Sequence, residues 1–177
     1  MRVLAFAVVM LATALAAQTV PEPQGYRTSD YDAPVPDRLT GADVIEDAAA
    51  YALWRSGRVG FVDVMPNLPR PKGLPEDLVW HGRARRSVPG AIWLPLIGFG
   101  EMDLAAQVQF ETGLVQASGG DRDAPLVFLC REDCWMSWNA AKRALEQGYT
   151  RVFWYPSGST GWTFWDWPTK RLKVFVP

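Results

Sequence analysis

Leu126-Val127-Phe128-Leu129-Cys130-Arg131-Glu132-Asp133-Cys134-Trp135-Met136-Ser137-Trp138-Asn139-Ala140-Ala141 decides the fold. Four apolar residues read as a buried strand, a short loop carries both cysteines of the chain, and Trp138, Ala141 and Leu145 then share one helical face. A thiol on such a strand-to-helix turn faces backbone amides and the positive end of a helix dipole, which lower its pKa and make it nucleophilic.

Outward from this stretch, other strands and helices alternate. Gly60-Phe61-Val62-Asp63-Val64-Met65 reads as a central strand ending in a carboxylate, and Val88-Pro89-Gly90-Ala91-Ile92-Trp93-Leu94-Pro95 as a turn feeding another strand. Val152-Phe153-Trp154-Tyr155 is the last clear strand. Helices are expected over Thr40–Trp54, capped by Thr40 and stopped near Gly57, over Asp103–Ser118, and behind the cysteine loop up to Gly148. Pro66 to Pro75, with four prolines, is a loop, and Ser157-Gly158-Ser159-Thr160-Gly161 reads as another. Connections long enough to cross over predict an α/β fold with a central parallel sheet covered on both faces, its site at the carboxyl ends of the strands.

The 177 residues are 49% hydrophobic with a net charge of -1, enough for one domain and without the basic block of a nucleic-acid binder. Arg2, the apolar run Val3–Ala12 and the small residues Ala14-Leu15-Ala16 read as a signal peptide over 1–17. No later segment is apolar enough to span a bilayer. The expected organisation is therefore signal peptide 1–17, extended Pro-rich arm 18–39, domain 40–170 and tail 171–177. The mature chain is expected in an oxidising space, a bacterial periplasm, without stable membrane insertion.

Four blocks, in order, resemble the rhodanese-like domains: Phe61-Val62-Asp63-Val64; Ser87-Val88-Pro89-Gly90-Ala91-Ile92-Trp93; Ala124 to Cys130 with Ser137, Ala140 and Ala141 behind; and Gly148-Tyr149 through Val152, then Gly161-Trp162-Thr163-Phe164-Trp165. The resemblance covers roughly Thr40 to Trp167 and implies the rhodanese-like three-layer fold. Asp63, Pro89, Gly90 and Trp162 become structural positions, and Cys130 stands where the family has its nucleophile. Cys130, Cys134 and Trp135 in an exported chain are similar to a narrower group, the CXXCW-motif proteins associated with PQQ-dependent catabolism. That likeness implies a setting near periplasmic alcohol oxidation and no particular reaction. The loop departs from sulfur-transferring members: it is one residue longer, Met136 stands before Ser137, and Ser87 replaces the family's histidine.

In the family role a thiolate at Cys130 takes a sulfane sulfur, held by loop amides. Arg131 would help hold an anionic donor, while Glu132 and Asp133 repel anions, or cap the helix, Asp133 being the better placed. Cys134 makes an intraloop disulfide possible. As a staple it would contribute only about 2 kcal/mol, against about 4.7 for a hundred-residue loop. Three readings stay open: a redox-active Cys130–Cys134 pair, which the placement favours, a persulfide carrier, or an inert disulfide. The last belongs to a rival function, a non-catalytic binding module whose tryptophans form the contact surface.

Six of nine tryptophans fall at or after Trp135. Trp162 is expected to pack, whereas Trp135, Trp138 and Trp154 could form a platform beside the thiols. Arg83, Arg85 and Arg86 read as a solvated face or, in a fold of this kind, as a border of the mouth of the site. One histidine, His81, and two cysteines fall short of a zinc site, and no metal or cofactor is expected. The expected partner is a periplasmic protein or a small sulfur or thiol substrate, not a nucleic acid.

Overall fold

A computed structural model describes residues 20–67, 70–78 and 84–177. The expected signal peptide, His81 and Arg83 lie outside the described residues.

The three central strands are short and apolar enough to be buried on both faces. β2 (Gly60–Asp63) pairs in parallel with β5 (Leu126–Leu129), in register from Gly60 opposite Leu126 to Asp63 opposite Leu129. β5 pairs in parallel with β6 (Val152–Tyr155) on its other side. The two-residue strands β1 (Asp43–Val44) and β4 (Ile92–Trp93) complete a five-stranded parallel sheet in the order β1-β6-β5-β2-β4. Because side chains alternate along a strand, β5 serves two cores. Leu126 and Phe128 point into one with Phe110 and Leu114 of helix α2 (Leu104–Ser118) and Trp138 and Ala141 of helix α3 (Trp135–Glu146). Val127 and Leu129 point into the other with Ala50 of helix α1 (Asp47–Ser56) and Trp162 of helix α4 (Gly158–Phe164). The result is a three-layer α/β architecture, as the alternation of elements predicts.

Three elements differ from the sequence reading. The helix expected from Thr40 begins at Asp47 instead, because Asp43 and Val44 pair with Phe153 and Trp154 of β6. The Ser157–Gly161 segment, expected as a loop, opens helix α4. Arg86 and Ser87 form β3, antiparallel to β7 (Lys170–Arg171). Elsewhere local signals decide. Asp103 caps α2, accepting from the Ala106 amide at 2.8 Å. Gly57 and Gly119 close α1 and α2 with φ of 66° and 67°, a left-handed conformation that favours glycine.

The segment from Val20 to Leu39 crosses over α3 with few regular hydrogen bonds of its own. Polar side chains hold it. Asn139 brackets Arg27, accepting from its amide at 3.0 Å and donating to its carbonyl at 2.8 Å. Trp135 and Trp138 donate their indole N–H groups to the carbonyls of Pro34 and Arg38. The Glu22 carboxylate accepts from both the amide and the hydroxyl of Thr40.

Candidate functional site

β5 delivers Cys130 to the carboxyl edge of the sheet, and the chain turns through Arg131, Glu132 and Asp133 into α3. The root of this turn is clamped. The Cys130 carbonyl accepts from the Ser159 amide at 3.0 Å, the Ser159 hydroxyl at 2.9 Å and Arg85 Nη2 at 2.9 Å. Gly158, with φ of 51°, lies so close that a Cβ there would sit 2.9 Å from the Cys130 carbonyl carbon and oxygen. This close approach makes a Gly-Ser-rich segment fold as a helix start.

Arg85 in turn is held by Asp63 at the end of β2, with Nη2 and Nε 2.6 and 2.9 Å from Oδ2. The Asp63 carboxylate is wholly buried and the Arg85 side chain nearly so. Burial pushes the Asp63 carboxyl above its ordinary pKa, and Arg85 pulls it part of the way back. Arg85 is thus an internal brace linking β2, β5 and α4. The solvated-face reading holds for Arg86, which is exposed and whose side chain bonds Thr169.

The two cysteines are joined as a disulfide, their Cα atoms 6.2 Å apart. Their surroundings differ. Cys130 has no exposed surface and its Sγ lies 3.6 Å from Met65 Sδ. Cys134, the N-cap residue of α3, lines a cavity of about 400 Å³ together with Asp30, Asp32, Met65, Arg131 and Met136. The arm closes one side: the Ala33 amide donates to the Asp133 carbonyl at 3.1 Å, and the Trp135 amide to the Tyr31 carbonyl at 2.9 Å. Arg131 pairs with Asp32.

The other loop residues take distinct positions. Glu132 is exposed and its amide donates to Thr160 Oγ1 at 3.3 Å. Asp133 makes the turn with φ of 51°, while α3 has no side-chain cap at all, so the expected capping role goes unfilled. Two amides of the turn that could cradle an anion, those of Glu132 and Trp135, therefore already serve Thr160 and the arm. Ser137 faces inward, donating to the Cys134 carbonyl at 3.1 Å and accepting from Trp154 Nε1 at 3.0 Å. Trp135, Trp138 and Trp154 are all buried, so they form core beneath the loop and no open platform. The Trp135 ring packs edge-on to Trp138 and lies 5.3 Å from the Arg27 guanidinium, under the arm. Pro89 accepts from Trp54 Nε1 at 2.9 Å, Gly90 turns with φ of 88°, and Trp162 is buried with Tyr51, Trp54 and Trp167 about it. All three lie on the opposite face from the cysteines.

Sequence reasoning passed over two residues at this site, Met65 and Ser159. Met65 stands two residues after the strand carboxylate, but nothing local to it points at a cysteine 65 positions away. Among the described residues no group of three or more His, Cys, Asp or Glu could hold a metal ion, and no helix is long and apolar enough to cross a membrane.

No family model and no curated protein matches the chain. Solved structures do. The human single-domain sulfurtransferase TSTD1 is 21% identical over 70% of this chain and 96% of its own, with a TM-score of 0.42. A variant of EanB in complex with ergothioneine is 22% identical over 82% of this chain and 34% of its own, with a TM-score of 0.49. SseA from Escherichia coli, described with the rhodanese fold of 3-mercaptopyruvate sulfotransferases, is 13% identical over 68% and 42%, with a TM-score of 0.38. These TM-scores all lie below 0.5, and the reading of the site stands on the chain's own sheet order and cysteine turn.

Proposed function

We propose that the chain is a rhodanese-like domain converted from sulfur transfer to thiol-disulfide exchange, working in the periplasm after removal of its signal peptide. The supporting observation is the Cys130–Cys134 bond set across the strand-to-helix turn, with Cys134 on a cavity wall and Cys130 behind it. A partner thiolate reaches Cys134 Sγ. The new S–S bond forms there as the old one breaks, and the electron pair leaves on Cys130 as a thiolate stabilised by the N-terminus of α3. A second thiol of the same partner then attacks the partner's own sulfur in the mixed disulfide. The partner departs oxidised by two electrons, and Cys134 is left as the thiol. A stronger disulfide oxidant of the compartment restores the bond.

Persulfide transfer is less well supported, because two amides of the turn are already engaged. The likeness of Cys130, Cys134 and Trp135 to the CXXCW-motif group supports a setting near PQQ-dependent oxidation, with the partner among its periplasmic proteins.

Mass spectrometry of the periplasmic protein, without and with reductant, reports whether the cysteines are bridged, free or persulfidated. A redox titration then gives the potential. Exchange requires a value above about -300 mV; a lower one marks an inert bond and leaves the binding-module reading. Cys130→Ser should accumulate a mixed disulfide at Cys134, whereas Cys134→Ser should trap little. Trapping mainly through Cys130 would reverse the proposed order.

A further inference from the structure

The cavity beside the cysteines is lined by more sulfur than disulfide exchange requires. Met65 and Met136 share its wall with Cys134, and Met65 Sδ is 3.6 Å from Cys130 Sγ. Met136 sits on the first turn of α3. A Cβ on Gly98 would fall 2.5 Å from the Met136 Cβ, so Gly98 lets the loop close down on this methionine and hold it in place. Three sulfur-bearing side chains, Cys134, Met65 and Met136, thus line one partly enclosed space, and the buried Cys130 sulfur touches Met65 from behind that wall.

We propose that the reduced Cys130–Cys134 pair, together with Met65 and Met136, binds a soft monovalent metal ion, Cu(I). Thiolate and thioether ligands select Cu(I) over harder cations, and thioether sulfur adds little for Zn(II). With metal–thiolate bonds of about 2.3 Å, two sulfurs on one ion lie no more than about 4.6 Å apart. The Met65–Cys130 separation already meets that limit. The step balances: two thiols lose two protons and one Cu⁺ enters, giving a bis-thiolate centre of net charge -1. Arg131, on the same wall, offsets that charge; Asp32, its ion-pair partner, and Asp30 oppose it. In the disulfide state neither cysteine offers a thiolate, so two-electron reduction by a dithiol loads the site and oxidation empties it. The inference uses the reduced state of the couple proposed above and says nothing about its potential.

The test is anaerobic titration of the purified full-length protein, chemically reduced, with Cu(I) against the chromogenic competitor bicinchoninate. Reduced protein should withdraw one Cu(I) from the competitor and the disulfide form none. Reduced Met65→Leu/Met136→Leu should bind at least about tenfold more weakly, the lower end of what loss of even an outer-shell partner costs a metal site. Failure of the reduced protein to withdraw Cu(I), or wild-type affinity in the double variant, overturns the proposal. Should that variant not fold, X-ray absorption of the copper-loaded wild type decides. A sulfur shell larger than the two thiolates supports the site, and a two-sulfur shell overturns it. Because reduction is chemical and complete, failure here leaves the measured redox potential, and the exchange reading, untouched.

Discussion

Replacing Arg85 with methionine tests the brace beneath the cysteine turn. The new side chain fills similar volume but carries no charge. It leaves the Asp63 carboxylate, 0% exposed, without its cationic partner and with the Met65 amide at 3.0 Å and the neighbouring Ser87 hydroxyl in its place. Removing one member of a buried ion pair costs about 3–5 kcal/mol. The Cys130 carbonyl keeps both bonds from Ser159, so its loss adds little. Against the 5–15 kcal/mol typical of a folded domain, this is a large fraction.

The deficit must also depend on pH. Burial already raises the Asp63 pKa, and without Arg85 it rises further. For a raised pKa, stability is fully present below the unfolded value of about 3.9 and is lost as pH rises through the folded value. Arg85→Met should therefore be closest to wild type near pH 4 and furthest from it near pH 8. Adding Asp63→Asn should restore part of the loss at pH 8, because no buried charge then remains. Urea unfolding of the oxidised protein, followed by tryptophan fluorescence at pH 5 and pH 8, measures the wild type and both variants. A deficit below about 1 kcal/mol at pH 8, or one equal at both pH values, refutes a buried, Arg85-dependent carboxylate.

The arm and the methionine wall give two further tests. Burial, and then the hydrogen bond to Glu146, push the Tyr26 hydroxyl up to about 12 from an ordinary value near 10. Its contribution is complete below pH 10 and lost towards pH 12, so phenolate absorbance should show a late-titrating tyrosine, ahead of the still more strongly raised Tyr155, that Glu146→Gln moves earlier. Gly98→Ala should cost about 1–3 kcal/mol, read by thermal melting, because its Cβ would press on both Cβ and Cα of Met136 at 2.5 and 3.1 Å. An unchanged melting temperature would mean that the loop carrying Gly98 yields freely.

The framework of this site was legible because its signals are local. Leu126 to Leu129 is apolar on both faces, as a strand between two layers must be, and Asp103 stands where an N-cap is needed. What was not legible depends on distant partners. Asp43 and Val44 look helical alone and become strand only because β6 offers an edge. Gly158 and Ser159 look like loop, yet the Cys130 carbonyl recruits both into a helix start. Arg85 is indistinguishable from Arg86 by composition. The fold separates them, turning one towards Asp63 and leaving the other to Thr169. The cysteine pair was visible, while the inequality between its members required knowing which wall each one faces.

The C-terminal residues answer a problem that every open sheet has. β4 is an outer strand, with a backbone able to template another chain. Val174 bridges to Trp93, and the Phe175 amide donates to the Trp93 carbonyl at 2.9 Å, so the tail occupies that rim itself. The opposite rim is β1, only two residues long. A chain folds among many copies of itself, and neither margin of this sheet offers a neighbour a long row of free backbone groups. Trimming the last four residues would reopen one of them, converting a solubility safeguard into an adhesive edge.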